Sequence, residues 1–175
     1  MRRLLILRHA EAERSIPGAP DRERPLSGRG RQEAATIGAY IARHALRPDH
    51  VLHSPALRAA ATWKHAAAAF EQAPPAQSLE ELYNAGAHDI LAAVTHIAST
   101  TNTALLIGHN PGLHEAALML IASGDVDARE RLREKLPTGG LLIIDFACDE
   151  WSGLHRQSGR LERFVTPKSL QAAAK

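Results

Sequence analysis

The chain has a single cysteine, Cys148, so it cannot close an internal disulfide, and a reducing compartment is expected. Cys148 follows an apolar run and reads as a small buried hydrophobe. Aromatic residues make up only 4% of the sequence, too few for the stacking platforms of single-strand nucleic-acid binders. Neither sign of charge dominates: 21 basic and 19 acidic side chains leave a net +2, and no run of like charge marks a nucleic-acid face. No stretch approaches the roughly 20 apolar residues of a membrane span. Arg2-Arg3 before Leu4-Leu5-Ile6-Leu7 imitates a secretory leader. Arg8, His9 and Glu11 end that run well short of the roughly 7–15 apolar residues a leader needs. The expectation is a cytoplasmic protein with neither nucleic acid nor membrane as a partner.

What is present suits a packed domain. Hydrophobic residues are 45% of 175, enough for a core that needs no disulfide or structural metal. One domain is expected over 1–167, with 168–175 a frayed tail. Leu4–Leu7 is too short for a helix and reads as a buried strand. A polar, proline-containing loop follows, and Ser27 can cap a helix from Gly28 towards Pro48. Val51-Leu52 is a second short strand, and the alanine-rich residues 56–70 form a second helix. Another helix fits 88–99. Strand Thr103–Gly108 then leads into a helix from Pro111, and a charged helix spans 127–135. Strands over 140–146 and 160–165 close the chain. Alternating strands and helices predict a three-layer α/β/α sandwich. Its central sheet should be mostly parallel, with an antiparallel edge strand.

Three segments share a layout of strand, then a loop bearing His or Arg, then a helix. They are Leu7-Arg8-His9, Ser54-Pro55-Ala56-Leu57-Arg58, and Gly108-His109-Asn110-Pro111. Open α/β sheets bind ligands beyond the carboxyl ends of their strands, so these side chains should converge. Two arginines and two histidines at one point repel each other unless an anion joins them. Arginine forks match phosphate oxygens, and helix N-termini add N–H donors. Cationic neighbours also disfavour imidazolium, which keeps His9 neutral and nucleophilic. The pattern therefore predicts phosphoryl chemistry: His9 attacks phosphorus while Arg8, Arg58 and His109 hold the equatorial oxygens.

Arg8-His9-Ala10 resembles the Arg-His-Gly signature of the histidine phosphatase superfamily, the phosphoglycerate mutase-like fold. The segment from Ser54 to Thr62 resembles its second-arginine motif, and Gly108–Pro111 its second-histidine motif. Order and spacing agree over nearly the whole chain. Arg24-Pro25-Leu26-Ser27 and the ending Arg163–Lys168 are similar to segments of the SixA-type phosphohistidine phosphatase branch. The resemblance implies that His9 is the residue phosphorylated and that Arg8, Arg58 and His109 complete the pocket. It makes Arg24 a candidate phosphate or substrate contact, alongside its reading as a loop salt-bridge partner. Position 10 departs from the signature, with alanine for glycine, and an ordinary negative φ there would accommodate the methyl group.

Glu81 lies about where superfamily members place a proton donor, and it reads equally as a solvated loop carboxylate. An alkoxide leaving group needs that proton, whereas imidazole, with a conjugate-acid pKa of about 6.5, needs it less. This favours a phosphohistidine-bearing protein domain as the partner. A phosphatase for small metabolites and a non-catalytic phosphoprotein-binding module are the alternatives. The other histidines lack zinc-ligand spacing, and no Gly-x-Gly-x-x-Gly follows the first strand, so neither metal nor cofactor is expected.

Overall fold

The structure, a computed structural model of the chain, describes residues 1–174. Its strands are β1 (Arg2–Arg8), β2 (His50–His53), β3 (Ala76–Ser78), β4 (Thr103–Gly108), β5 (Ile121–Gly124), β6 (Leu141–Phe146) and β7 (Gly159–Val165). Its helices are α1 (Gly28–Arg43), α2 (Leu57–Ala67), α3 (Ala87–Thr95), α4 (Gly112–Leu120), α5 (Val126–Glu134) and α6 (Pro167–Ala173). The strands form one sheet in the order β3-β2-β4-β1-β6-β7-β5. Neighbours are parallel except at β6, which runs antiparallel to both β1 and β7. The reversed strand therefore sits inside the sheet rather than at the expected edge. The short edge strands β3 and β5 carry too little apolar pattern to read from sequence.

Alternation along β1 explains the layers. Leu5 and Leu7 point to one face, where they meet Ile37 and Ile41 of α1 and Trp63 of α2. Leu4 and Ile6 point to the other, among Ile90 of α3, Leu113 of α4 and Leu132 of α5. All four β1 side chains are fully buried, each stabilising the fold by about 1.5–3 kcal/mol. A strand covered on both sides reads as a continuous apolar run.

The carboxyl ends of β2, β4 and β1 are adjacent, with Arg8 level with Gly108 and His53 level with Ile107. α1 starts at the predicted cap, where Ser27 Oγ accepts from Gly30 N at 3.0 Å. A side chain at Gly30 would strike the Glu11 carbonyl, so this glycine lets α1 abut the segment after β1. The expected frayed tail from 168 is instead helical as far as Ala173. α6 is held by a Thr166–Ser169 capping box, with Leu170 packed against the α1-side core. Lys175 lies outside the described residues. Cys148 is half-buried against the other core rather than fully enclosed.

Candidate active site

The three loops meet above the middle of the sheet. His9 follows β1, His109 follows its neighbour β4, and Ser54 follows β2 and leads into α2, whose first turn carries Arg58. The imidazoles of His9 and His109 lie 5.2 Å apart, centre to centre, inclined at 53°. His9 is buried, and its Nδ1 lies 2.8 Å from the Ala10 carbonyl. A carbonyl only accepts, so Nδ1 carries the hydrogen and Nε2 keeps a free lone pair. Burial holds the His9 pKa down at about 3, with His109, Arg58 and Arg8 acting in the same direction. Burial likewise lowers His109 to about 4, with Arg58 the next cause. Both rings are therefore neutral near neutral pH. Desolvation does more of this than the cationic neighbours on which the sequence argument relied.

Ser54, fully buried, fixes the second imidazole. Its Oγ accepts from Ala56 N at 3.2 Å and lies 2.7 Å from His109 Nε2. When the hydroxyl donates to Nε2, Nδ1 is left with the hydrogen. Thr62 performs a similar coupling: its Oγ1 accepts from Ala10 N at 3.0 Å and donates to the Arg58 carbonyl at 2.7 Å. It thereby ties the β1 loop to the first turn of α2. Ala10 is not among the residues with positive φ, and its methyl group packs with Leu26 and Ala34.

Arg8 is anchored by Nη1 donating to the Leu136 carbonyl at 3.1 Å, and desolvation beside Arg58 lowers its pKa. Arg58 donates from Nη1 to the Asp21 main-chain oxygen at 2.8 Å and from Nη2 to Asp21 Oδ2 at 3.0 Å. Arg58 thus has both terminal nitrogens steadied by protein, and Arg8 has one. Among the described residues, the buried side-chain polar atoms without a partner are Arg8 Nε, Arg24 Nε, Arg58 Nε, His109 Nδ1 and Asn110 Oδ1. Four of these five are donors when Nδ1 carries its hydrogen. Buried donors left unmatched cost about 1–3 kcal/mol each, so the gathering of three of them, on Arg8, Arg58 and His109, fits a site that takes an oxyanion. The N-termini of α2 and α4 open towards the same place.

The structure therefore brings together Arg8, His9, Arg58 and His109. Arg24 stands further out: its Nη1 donates to the Glu13 carbonyl at 3.1 Å, and its Nη2 lies 3.4 Å from Asp21 Oδ1. Both candidate readings of Arg24, loop ion pair and rim contact, remain consistent with that place. Glu81 is not brought in. It is exposed, makes no hydrogen bond with a site residue, and lines a groove of about 750 Å³ between α3 and the β2–β3 edge.

Two residues that sequence reasoning passed over do reach the site. Asp21 sits in a 3-10 turn at Asp21–Glu23, on an excursion whose neck is closed by the Ala12–Leu26 bridge. Tyr83 Oη donates to Asp21 Oδ2 at 2.6 Å, and the Tyr83 ring stands edge-on to His109 at 5.8 Å. Gly112 allows this, because a side chain there would strike the Ala85 carbonyl and push the segment after Tyr83 away from α4. The Tyr83 hydrogen bond and the Arg58 guanidinium lower the Asp21 carboxyl to about 2. The only sequence signal for Asp21 is its position just ahead of Arg24-Pro25.

Fold and site together define a phosphatase built on a mixed α/β sheet. The profile of the histidine phosphatase superfamily (branch 1) matches residues 4–89. An uncharacterized protein of Mycobacterium leprae is 30% identical over 166 residues, 93% of this chain and 100% of that one. The crystal structure of a protein from Agrobacterium tumefaciens, assigned there as the phosphohistidine phosphatase SixA, is 29% identical with a TM-score of 0.80. The alignment covers 95% of this chain and 98% of that one. A tungstate complex of the protein histidine phosphatase SixA shares the fold at 22% identity and a TM-score of 0.72, over 96% and 99% of the two chains. The chain belongs to the histidine phosphatase superfamily, and its structural neighbours include SixA-type proteins.

Proposed function

We propose that the protein hydrolyses phosphohistidine on a partner protein, through a phosphoryl group carried transiently on His9. One observation carries the choice of substrate: among the described residues, no side chain at the site is a ready acid for a leaving alkoxide. Asp21 is ionised, with its pKa at about 2. Tyr83 has its pKa raised by its hydrogen bond to Asp21, and His109 is neutral. Glu81 faces another groove. A departing imidazole needs far less acid assistance, because its conjugate acid has a pKa of about 6.5.

The residues divide the work. The Ala10 carbonyl holds the His9 ring by Nδ1–H, so Nε2 presents its lone pair to phosphorus. Arg8 and Arg58 offer their Nε–H edges to the equatorial oxygens, and His109 offers Nδ1–H. The same carbonyl supports the charge that His9 acquires when phosphorylated, and water then releases phosphate and restores the neutral ring. Such a substrate implies a role in signal transduction, and the lone thiol of Cys148 suits a reducing cytoplasm. Leu57, large, apolar and 45% exposed beside Arg58, offers contact to a macromolecular substrate at the rim.

The test is a panel of N–P and O–P phosphorylated compounds that includes a phosphohistidine-bearing domain. Release of phosphate from the N–P substrate is expected to be fastest, and His9→Ala should abolish it with trapping of no phosphoenzyme. Full activity in His9→Ala removes the nucleophile, and faster turnover of alkyl phosphates removes the substrate assignment.

A further inference from the structure

Asp21 is a puzzle for an anion site. Its carboxylate lies against Arg58 and reaches towards Arg24, so it cancels part of the positive charge that should attract phosphate. The Asp21 side chain is 47% exposed while that of Arg58 is 7% exposed, so the carboxylate is open to an incoming molecule. Asp21 is also deliberately held. Tyr83 Oη donates to it at 2.6 Å, and Tyr83 in turn lies under the Arg22 guanidinium, 4.9 Å from the ring centre. Arg22 pairs with Glu80 on the segment that carries Tyr83. The tip of the 12–26 excursion is thus pinned to the segment after β3, beside Arg58 and Tyr83.

Its direction is informative. Asp21 is bonded to Arg58 and to Tyr83, whose ring stands against His109 at 5.8 Å, and it makes no hydrogen bond with His9. Attack in line from His9 sends the leaving group away from His9. Asp21 therefore stands at the rim beside Arg58 and Tyr83 rather than beside the nucleophile. We propose that Asp21 is a specificity-determining carboxylate that selects a phosphorylated imidazole. It accepts the N–H of the substrate ring's distal nitrogen and repels phosphate esters whose leaving portion carries its own negative charge.

The proposal rests on the phosphohistidine reading above and adds a residue that enforces it. The step balances without an acid from the protein. The substrate enters as phosphoimidazolium, its distal N–H held by Asp21. His9 Nε2 forms a bond to phosphorus as the substrate's P–N bond breaks. That electron pair stays on the ring nitrogen, and the ring leaves as neutral imidazole with its distal hydrogen still in place. His9 now carries the phosphoryl group and a positive charge, with Nδ1–H on the Ala10 carbonyl. Water attacks phosphorus, His9 recovers its electron pair, and both water hydrogens leave with dihydrogen phosphate.

The experiment uses Asp21→Asn in the full chain, which keeps the shape and an acceptor for Arg58 and Tyr83 but removes the charge. Two quantities are read: kcat/KM on a phosphohistidine-bearing domain, and the inhibition constant of phosphoserine, whose carboxylate stands in for an anionic leaving portion. Asp21→Asn should lower the first about tenfold and tighten the second about tenfold, a pair of opposite effects that loss of packing would not produce. Tyr83→Phe keeps the charge and should preserve the wild-type ratio of the two. Asp21→Ser serves as the neutral variant if the amide fails to fold. Changes in the same direction for both quantities, or none, overturn the role of Asp21 alone. If the wild type does not hydrolyse the phosphohistidine domain at all, the substrate reading fails and this proposal falls with it.

Discussion

Removing the hydroxyl of Ser54 isolates one proton and follows it to the chemistry. In Ser54→Ala the 2.7 Å contact to His109 Nε2 disappears, and Ala56 N loses its acceptor. The imidazole no longer has a reason to keep its hydrogen on Nδ1. Once the hydrogen sits on Nε2, the ring presents a lone pair to a phosphate oxygen instead of a donor. Loss of one such preorganised donor costs about 10²–10³ in kcat. Because the productive tautomer remains accessible, a smaller loss of about 10- to 100-fold is expected here. The orphaned Ala56 amide adds about 1–3 kcal/mol of lost stability, readable as a shift in urea midpoint. Steady-state turnover of a phosphohistidine-bearing domain is the assay, run on Ser54→Ala, His109→Ala and the double variant. If Ser54 works only through His109, the double variant should match His109→Ala within about threefold. Losses that multiply, or wild-type turnover in Ser54→Ala, would refute the argument.

Other outcomes follow from the same geometry. His9 and His109 have pKa values of about 3 and about 4 when folded, below the ordinary 6.5, so the unfolded chain binds more protons beneath pH 6.5. Stability should therefore fall as pH drops from 6.5 towards 4, each histidine contributing a slope of up to about 1.4 kcal/mol per pH unit. Urea melts of His9→Gln should show a shallower slope, and an unchanged slope would contradict the buried neutral ring. Inorganic phosphate at about 100 times its Kd should raise the unfolding free energy by about 2.7 kcal/mol. Arg8→Gln should abolish most of that protection in a thermal-shift titration, and undiminished protection would place the anion elsewhere. Glu81→Gln should leave turnover of N–P and O–P compounds within about twofold, since Glu81 faces the α3 groove; a large loss on phosphate esters would restore it as a proton donor.

How much of the site could be read beforehand depends on how local its determinants are. Leu4–Leu7 announces a strand buried on both faces because neighbouring side chains alternate and all must be apolar. The strand–loop–helix order after Leu7, Ile107 and His53 places Arg8, His9, His109 and Arg58 at carboxyl ends, where an α/β sheet leaves room for a ligand. Those four are legible because each sits on the element that positions it. β6 misled the reading because its apolar run is the same whichever way the strand points, and only pairing with β1 and β7 fixes the direction. The tail misled it because the Thr166–Ser169 cap is weak evidence until Leu170 has a core to meet.

The residues alone determined that two imidazoles and two guanidinium groups would stand at strand ends and would need an oxyanion to share. Charge and valence decide that before any coordinates exist. Tertiary structure decided what surrounds them. Desolvation, which no sequence pattern measures, does most to keep both rings neutral. Packing of the 80–86 segment on α4 brings Tyr83 to Asp21, and the closed neck at Ala12 and Leu26 carries Asp21 across to Arg58. The same packing leaves Glu81 facing away. Contacts between loops depend on where distant elements dock, and a linear sequence records the side chains without recording that docking.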